Sequence, residues 1–154
     1  MNKLPPEAEK HFKQAIHNYT FFCEVHSKLP KAFYDWKATV LFYTSIHLLR
    51  ALLKQRDVEV KDNHHALRKA INPNNPNSNS PVKKHCYNSY LVLYNASLDT
   101  RYTGFLDSEK RKDYLKSKFK KCQKAIKSID SYMKSQGYNS LMSIQREFDF
   151  KDSE

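Results

Sequence analysis

The sequence contains very little glycine: Gly104 and Gly137 are the two glycines among 154 residues. Glycine supplies the positive φ angles of tight β-turns and lets a loop backbone approach a phosphate closely. The low content therefore disfavours turn-rich β architectures and glycine-rich nucleotide loops. Because helix-forming residues recur at helical spacings instead, we expect an all-α protein, and the length predicts a single domain.

Cysteine is also scarce, and none of it has metal-site spacing. Cys23, Cys86 and Cys122 are far apart and odd in number, no HExxH motif occurs, and the acidic residues are scattered. We therefore expect no metal and no cofactor. Each cysteine lies in a segment of helical apolar periodicity, which predicts buried free thiols in a reducing compartment.

Long apolar runs are absent as well. No run reaches the ~18 residues that a membrane-spanning helix needs, and the first residues lack the apolar core of a signal peptide. These features lead us to expect a cytoplasmic protein with no membrane partner.

Acidic residues are few relative to basic ones. The chain has 27 Lys and Arg against 16 Asp and Glu, a formal net charge of +11. Such an excess indicates a polyanionic partner, most often nucleic acid, although a merely solvated lysine-rich surface accounts for it equally well. The densest basic stretch is 110–134, from which we take Lys116, Lys120 and Lys124 as candidate contacts to a phosphate backbone.

What the chain does have is a strongly apolar segment at 38–53, ATVLFYTSIHLLRALL. An almost uniformly apolar helix is typically buried. His47 and Arg50 interrupt this segment three residues apart, so they lie on one helix face. An unpaired buried charge is costly. The two side chains are therefore either satisfied inside the protein or face a functional site.

Periodicity and end signals predict the helices. We expect them at about 5–27, 36–55, 64–71, 81–102 and 108–136, with a polar loop at 72–81. Asp35, Asn63, Ser80 and Asp107 are the predicted N-caps, and Gly137 ends the last helix. In that helix a heptad-like seam predicts packing on a neighbour; it consists of Leu115, Phe119, Cys122, Ile126, Ile129 and Met133. Residues 138–154 are expected to be a partly helical or frayed tail outside the main unit, 1–137.

Polar side chains on two of these helices form candidate site ridges. Tyr43, His47 and Arg50 share one face of the second helix, and a similar ridge on the fourth contains Tyr90, Tyr94 and Arg101. If the two helices pack, the ridges meet, and His64 and His65 at the start of the third helix can face the same place.

This set of side chains suits phosphoryl chemistry. Imidazoles serve as general acid and base near neutral pH, and arginines stabilise the charge of a phosphoryl transition state. That is sufficient for metal-free RNA cleavage, in which the ribose 2′-hydroxyl attacks its own phosphate. A hydrogen-bonded core histidine at position 47, and ordinary exposed histidines at 64 and 65, remain alternatives.

Three segments resemble HEPN domains, small helical proteins named for higher eukaryotes and prokaryotes nucleotide-binding. FYTSIHLLRALL (42–53) is similar to their YYAxFHAARALL signature. His64 and His65 followed by ALRKAI resemble the family's loop and histidine helix start. SLDTRY (97–102) resembles its late helix segment, with Arg101 and Tyr102 at the matching positions. The likeness covers about 8–135.

The resemblance implies a four- to five-helix up-and-down bundle that commonly forms a homodimer. It also implies links to RNA cleavage, to toxin–antitoxin pairs with a nucleotidyltransferase-like antitoxin, and to antiviral defence. The family's nucleases carry an Arg-x4-6-His motif, whereas seven residues separate Arg56 from His64 here. Three functions therefore stay open: a metal-independent endoribonuclease, a non-catalytic dimerisation or partner-binding module, and a nucleotide-binding module.

Overall fold

The structure, a computed structural model, describes residues 3–100 and 108–151. This part of the chain contains six α-helices. They are α1 (Pro6–Lys28), α2 (Tyr34–Gln55), α3 (His64–Ile71), α4 (Lys84–Asp99), α5 (Ser108–Ser135) and α6 (Met142–Lys151). These residues contain no β-strand, so the all-α expectation is confirmed.

α2 lies at the centre because it can bury most of its circumference. It contacts α1, α4 and α5. α1 is antiparallel to it, since His11 meets His47 at one end and His26 meets Lys37 at the other. α4 is also antiparallel to α2, because Tyr94 contacts Phe42 in the middle of α2 and the segment before α4 contacts its end.

α5 runs parallel to α2 and closes the core. Near its start Arg111 pairs with Asp35, and near its end Tyr132 accepts a hydrogen bond from Arg56. The predicted α5 seam is confirmed, since all of its members are buried: Leu115, Phe119, Cys122, Ile126, Ile129 and Met133. The buried free thiols predicted at Cys23, Cys86 and Cys122 are confirmed too.

Some helix ends follow the predicted caps. The Asn63 side chain accepts a hydrogen bond from the Ala66 N–H at 2.8 Å, and α3 has the predicted bounds. Gly137 follows the end of α5 with a φ of 96°, a conformation that glycine adopts without strain. The predicted cap Asp107 and the predicted end of the fourth helix, Tyr102, lie outside the described residues.

Two predicted caps are wrong. α2 begins at Tyr34 after Phe33 adopts a left-handed conformation (φ 55°), so Asp35 lies inside the first turn rather than before it. Ser80 precedes α4 by several residues, because its hydroxyl accepts a hydrogen bond from Arg56 at 2.8 Å and its N–H bonds to the Ala70 carbonyl. Contacts from distant segments therefore occupy both the Ser80 side chain and its N–H, and α4 begins at Lys84.

The chain after α5 packs back on the bundle. Asp130, which is buried, accepts hydrogen bonds from the Leu141 N–H at 2.7 Å and the Ser140 hydroxyl at 2.6 Å. The Tyr19 hydroxyl of α1 donates to Gln145 of α6 at 3.0 Å. No helix within the described ranges has the length and apolar content to cross a bilayer.

Candidate functional site

Two histidines from different helices touch at one end of the α1–α2 pair. Nδ1 of His11 lies 3.1 Å from Nδ1 of His47, and the ring centroids are 5.3 Å apart. Both side chains are half-buried. At this distance one imidazole donates its proton and the other accepts it, so the pair shares a proton across the helix interface. His47 also lines an open groove of about 420 Å³ with Tyr43 and residues of α1.

The surroundings keep this histidine pair neutral. Burial lowers the pKa of both imidazoles from the ordinary value of 6.5, and the Arg50 charge lowers each pKa further. Glu7 acts in the opposite direction on the pKa of His11, and Asp62 does so on that of His47. The net lowering leaves a free base at neutral pH, which is the form that accepts a proton from a hydroxyl.

Arg50 follows His47 by three residues on the same face of α2 and contacts the connection to α3. Its guanidinium is 3.2 Å from the Asp62 carboxylate. The Arg50 side chain is 11% exposed, whereas that of Asp62 is 99% exposed. Such an exposed partner stabilises the cation only weakly. The guanidinium is therefore positioned by the fold and remains available to another anion.

The α2 and α4 ridges pack, but through Phe42 rather than through His47. The Phe42 ring lies 6.0 Å from that of Tyr90 and 5.8 Å from that of Tyr94. His64 joins this cluster, with its ring 5.4 Å from Phe42. Tyr90 and Tyr94 are thus placed beside the α3 start, while His47 faces α1.

The other predicted site residues are dispersed. His65 is exposed at the first turn of α3. Lys116, Lys120 and Lys124 are exposed on α5, which contributes no residue to the groove at His47. Arg101 and Tyr102 lie outside the described residues.

Two residues of this region, His11 and Arg68, are absent from the sequence-based prediction of the site. His11 is 36 positions from His47, and nothing local in α1 marks it as the partner. Arg68 lies on α3, where its guanidinium carbon is 4.9 Å from the centroid of the Tyr94 ring. Its position four residues after His64 was a usable signal, because that spacing places both side chains on one helix face.

A second, apolar groove of about 300 Å³ lies further along the α1–α2 pair. Several large apolar side chains around it are strongly exposed, Trp36 by 65%. We define the aromatic face by five exposed residues of this surface: Phe21, Leu29, Phe33, Trp36 and Tyr43. Outside it, Val92 is the one other exposed large apolar residue of the described chain.

Comparisons with known proteins add no assignment: no family model, curated protein or solved structure matches this chain. Within the described ranges, no group of three or more histidines, cysteines and acids is arranged to hold a metal ion.

Proposed function

We propose that the chain is a HEPN-like, RNA-associated bundle that acts as a metal-independent endoribonuclease of a toxin–antitoxin or defence system. The observation that carries the proposal is the contact between His11 and His47, of which His47 also lines an open groove. Imidazoles that accept and return a proton, together with a guanidinium, form a set of groups that suits transesterification of RNA. The net charge of +11 favours a polyanionic substrate.

The chemistry follows from this arrangement. The imidazole pair takes the proton of a ribose 2′-hydroxyl, and the 2′-oxygen attacks the adjacent phosphorus. The bond from phosphorus to the 5′-oxygen breaks, and the protonated pair returns the proton to that oxygen. The products are a 2′,3′-cyclic phosphate and a 5′-hydroxyl. Arg50 stabilises the added negative charge on the phosphoryl oxygens in the transition state.

The test is cleavage of a varied RNA panel in the presence of EDTA. We expect wild-type protein to produce cyclic-phosphate ends, and His47→Ala and His11→Ala each to reduce the rate by about 10²-fold or more, the usual contribution of general acid–base catalysis. His85→Ala is the matched control, because His85 is exposed on α4 and contacts Tyr132 instead. No cleavage by wild type, or equal rates in all variants, would refute the nuclease function.

A second candidate function is homodimerisation through the aromatic face. Its five members lie on one surface of α1, α2 and their connection. Side chains of 150–250 Å², each about half exposed, present on the order of 500 Å² of apolar area. A standard interface uses about 800 Å² per partner, so this face suits the centre of one. Because each protomer carries +11, a self-interface needs a lysine-poor patch, and the one lysine lining this groove, Lys37, is buried.

Sedimentation velocity tests the dimer. We expect wild-type protein to be dimeric, Trp36→Asp to be monomeric and Val92→Asp to stay dimeric, since Val92 lies outside the aromatic face. A wild-type protein that stays monomeric at high concentration would exclude this function. It would leave the nuclease proposal to be decided by the cleavage assay.

A further inference from the structure

We propose that Arg50, Arg68 and the Tyr90 hydroxyl form a phosphate-binding subsite for RNA, next to the phosphate cleaved at His11 and His47. The inference rests on the proposed function in one respect, since it assigns the subsite to the same RNA substrate.

The first observation concerns Arg68, a half-buried cation that has no carboxylate partner within the described residues. Its guanidinium stacks on the Tyr94 ring at 4.9 Å. Stacking fixes the plane of the group and leaves its N–H edges free to donate. A fixed, unpaired guanidinium is suited to bidentate recognition of a phosphate.

The second observation is that the hydroxyl of Tyr90 is buried without a hydrogen-bond partner within the described residues. This residue is fully buried. Leaving a buried hydroxyl unpaired costs about 1–3 kcal/mol, so a hydrogen-bond acceptor supplied by a ligand would stabilise this group. Burial raises the pKa of Tyr90 to about 12, which keeps its proton in place as a donor at neutral pH.

The third observation places these groups together. The Arg68 guanidinium lies over the Tyr94 ring, and that ring stacks on the Tyr90 ring with centroids 6.4 Å apart. Arg50 reaches the same region through its ion pair with Asp62, two residues before α3. The positive charges of Arg68 and Arg50 also lower the pKa of Tyr90, against the larger effect of burial. The Arg50 charge also lowers the pKa of both His11 and His47. Arg50 therefore links the pair to the Arg68 side of the cluster.

The chemistry of the donors defines the ligand. Two guanidinium groups and one hydroxyl present donors only, and two of the three carry positive charge. The acid near them, Asp62, is 99% exposed and holds Arg50 weakly. A phosphate with several free oxygens is a better acceptor for this set. His64, whose ring lies 6.5 Å from that of Tyr94, provides an aromatic surface for an adjoining base.

The experiment measures binding of a fluorescein-labelled 2′-O-methyl RNA, which cannot be cleaved, by fluorescence anisotropy at several salt concentrations. We expect Arg68→Ala to weaken binding about tenfold and to reduce the slope of log K against log salt by about 1. Tyr90→Phe removes the hydroxyl alone and should weaken binding by a few-fold. Arg68→Lys keeps the charge without the stacked fork, so an intermediate affinity is expected.

Lys69→Ala is the matched control, because it removes one positive charge from an exposed position of the same helix. An equal loss in Lys69→Ala and Arg68→Ala would overturn the subsite, since net charge would then explain both. Inorganic phosphate serves as competitor. If millimolar phosphate displaces the RNA from wild type but not from Arg68→Ala, RNA and phosphate compete for the Arg68 subsite, as proposed. Equal displacement from both proteins would place the competition elsewhere and would overturn the subsite.

Failure of this inference can be separated from failure of the proposed function. If Arg68→Ala binds normally while His47→Ala loses cleavage, the subsite is wrong and the nuclease stands. If Arg68→Ala loses binding while wild type cleaves no RNA, the subsite stands and the nuclease is wrong.

Discussion

The two ends of the α1–α2 pair each bring a histidine of α1 close to a cation of α2, yet they differ in what the cation does. At the open end, Arg50 follows His47 by about one turn of α2 and its charge lowers the pKa of His11, while its guanidinium pairs with an exposed carboxylate. At the closed end, Lys37 lies beside His26, 3.3 Å from its Nδ1, and is 2% exposed. The ammonium donates to the Leu29 carbonyl at the end of α1.

The closed end uses its cation for structure. The Lys37 ammonium lies 5.4 Å from the Tyr34 ring centroid and 5.6 Å from that of Phe119, so cation–π contacts replace an acidic partner. Lys37 lies on the buried face of α2. A buried polar group therefore indicates a binding site only when its hydrogen-bonding capacity is not already used inside the protein. By that criterion the open end is the better candidate site, because the partner of Arg50 there is an exposed carboxylate.

The largest effect should come from Lys37→Ala. This substitution removes a buried side chain and leaves the Leu29 carbonyl without its donor, so we expect the free energy of unfolding to fall by about 3 kcal/mol. Lys37→Met is the control, because it keeps most of the volume and should cost clearly less. Urea unfolding measures both. A loss below about 1 kcal/mol for Lys37→Ala would show that the closed end is not structural.

Acidification should lower the free energy of unfolding through the histidines at both ends of the α1–α2 pair. Burial lowers the pKa of His11, His26 and His47 below 6.5, with Lys37 as a further cause at His26. Between these lowered pKa values and 6.5 the unfolded chain binds more protons, so stability is complete above 6.5 and is lost as pH falls. We expect a lower urea midpoint at about pH 5.5 than at about pH 7.5.

Substitution of the histidines at one end at a time shows how much of the pH dependence of stability each end causes. The His11→Gln/His47→Gln double variant should lose less stability on acidification than wild type, and so should His26→Gln. A pH dependence that neither variant reduces would mean that other groups cause it.

Removal of one imidazole at the open end should cost little stability. His47→Ala deletes a half-buried hydrogen bond, worth about 1 kcal/mol or less, while it should abolish most of the cleavage. Urea unfolding at about pH 7.5 gives the stability, with His85→Ala as the surface control. If His47→Ala destabilises as strongly as Lys37→Ala, the histidine pair is a structural contact like the closed end.

The sequence predicted those features that depend on neighbours along the chain. The bounds of α3 and the α5 seam were predictable because the Asn63 cap and the apolar period act within a few residues. His11 was not predictable, because its role arises only when α1 folds back on α2. The predicted Ser80 cap was wrong for a related reason. The Ser80 hydroxyl accepts a hydrogen bond from Arg56, which lies 24 residues away in the sequence.

The smallest effect should come from Asp62→Asn. This substitution tests whether the exposed Asp62 carboxylate competes with RNA for the Arg50 guanidinium. Loss of this weak pair should change stability by about 0.5 kcal/mol or less. The freed Arg50 should bind the uncleavable RNA about two- to threefold more tightly, because one competing negative charge is gone. Asp57→Asn is the matched control, an exposed acid in the same connection whose positive φ of 56° suits asparagine. An equal gain in both variants would attribute the effect to net charge and would leave Arg50 without a role in RNA binding.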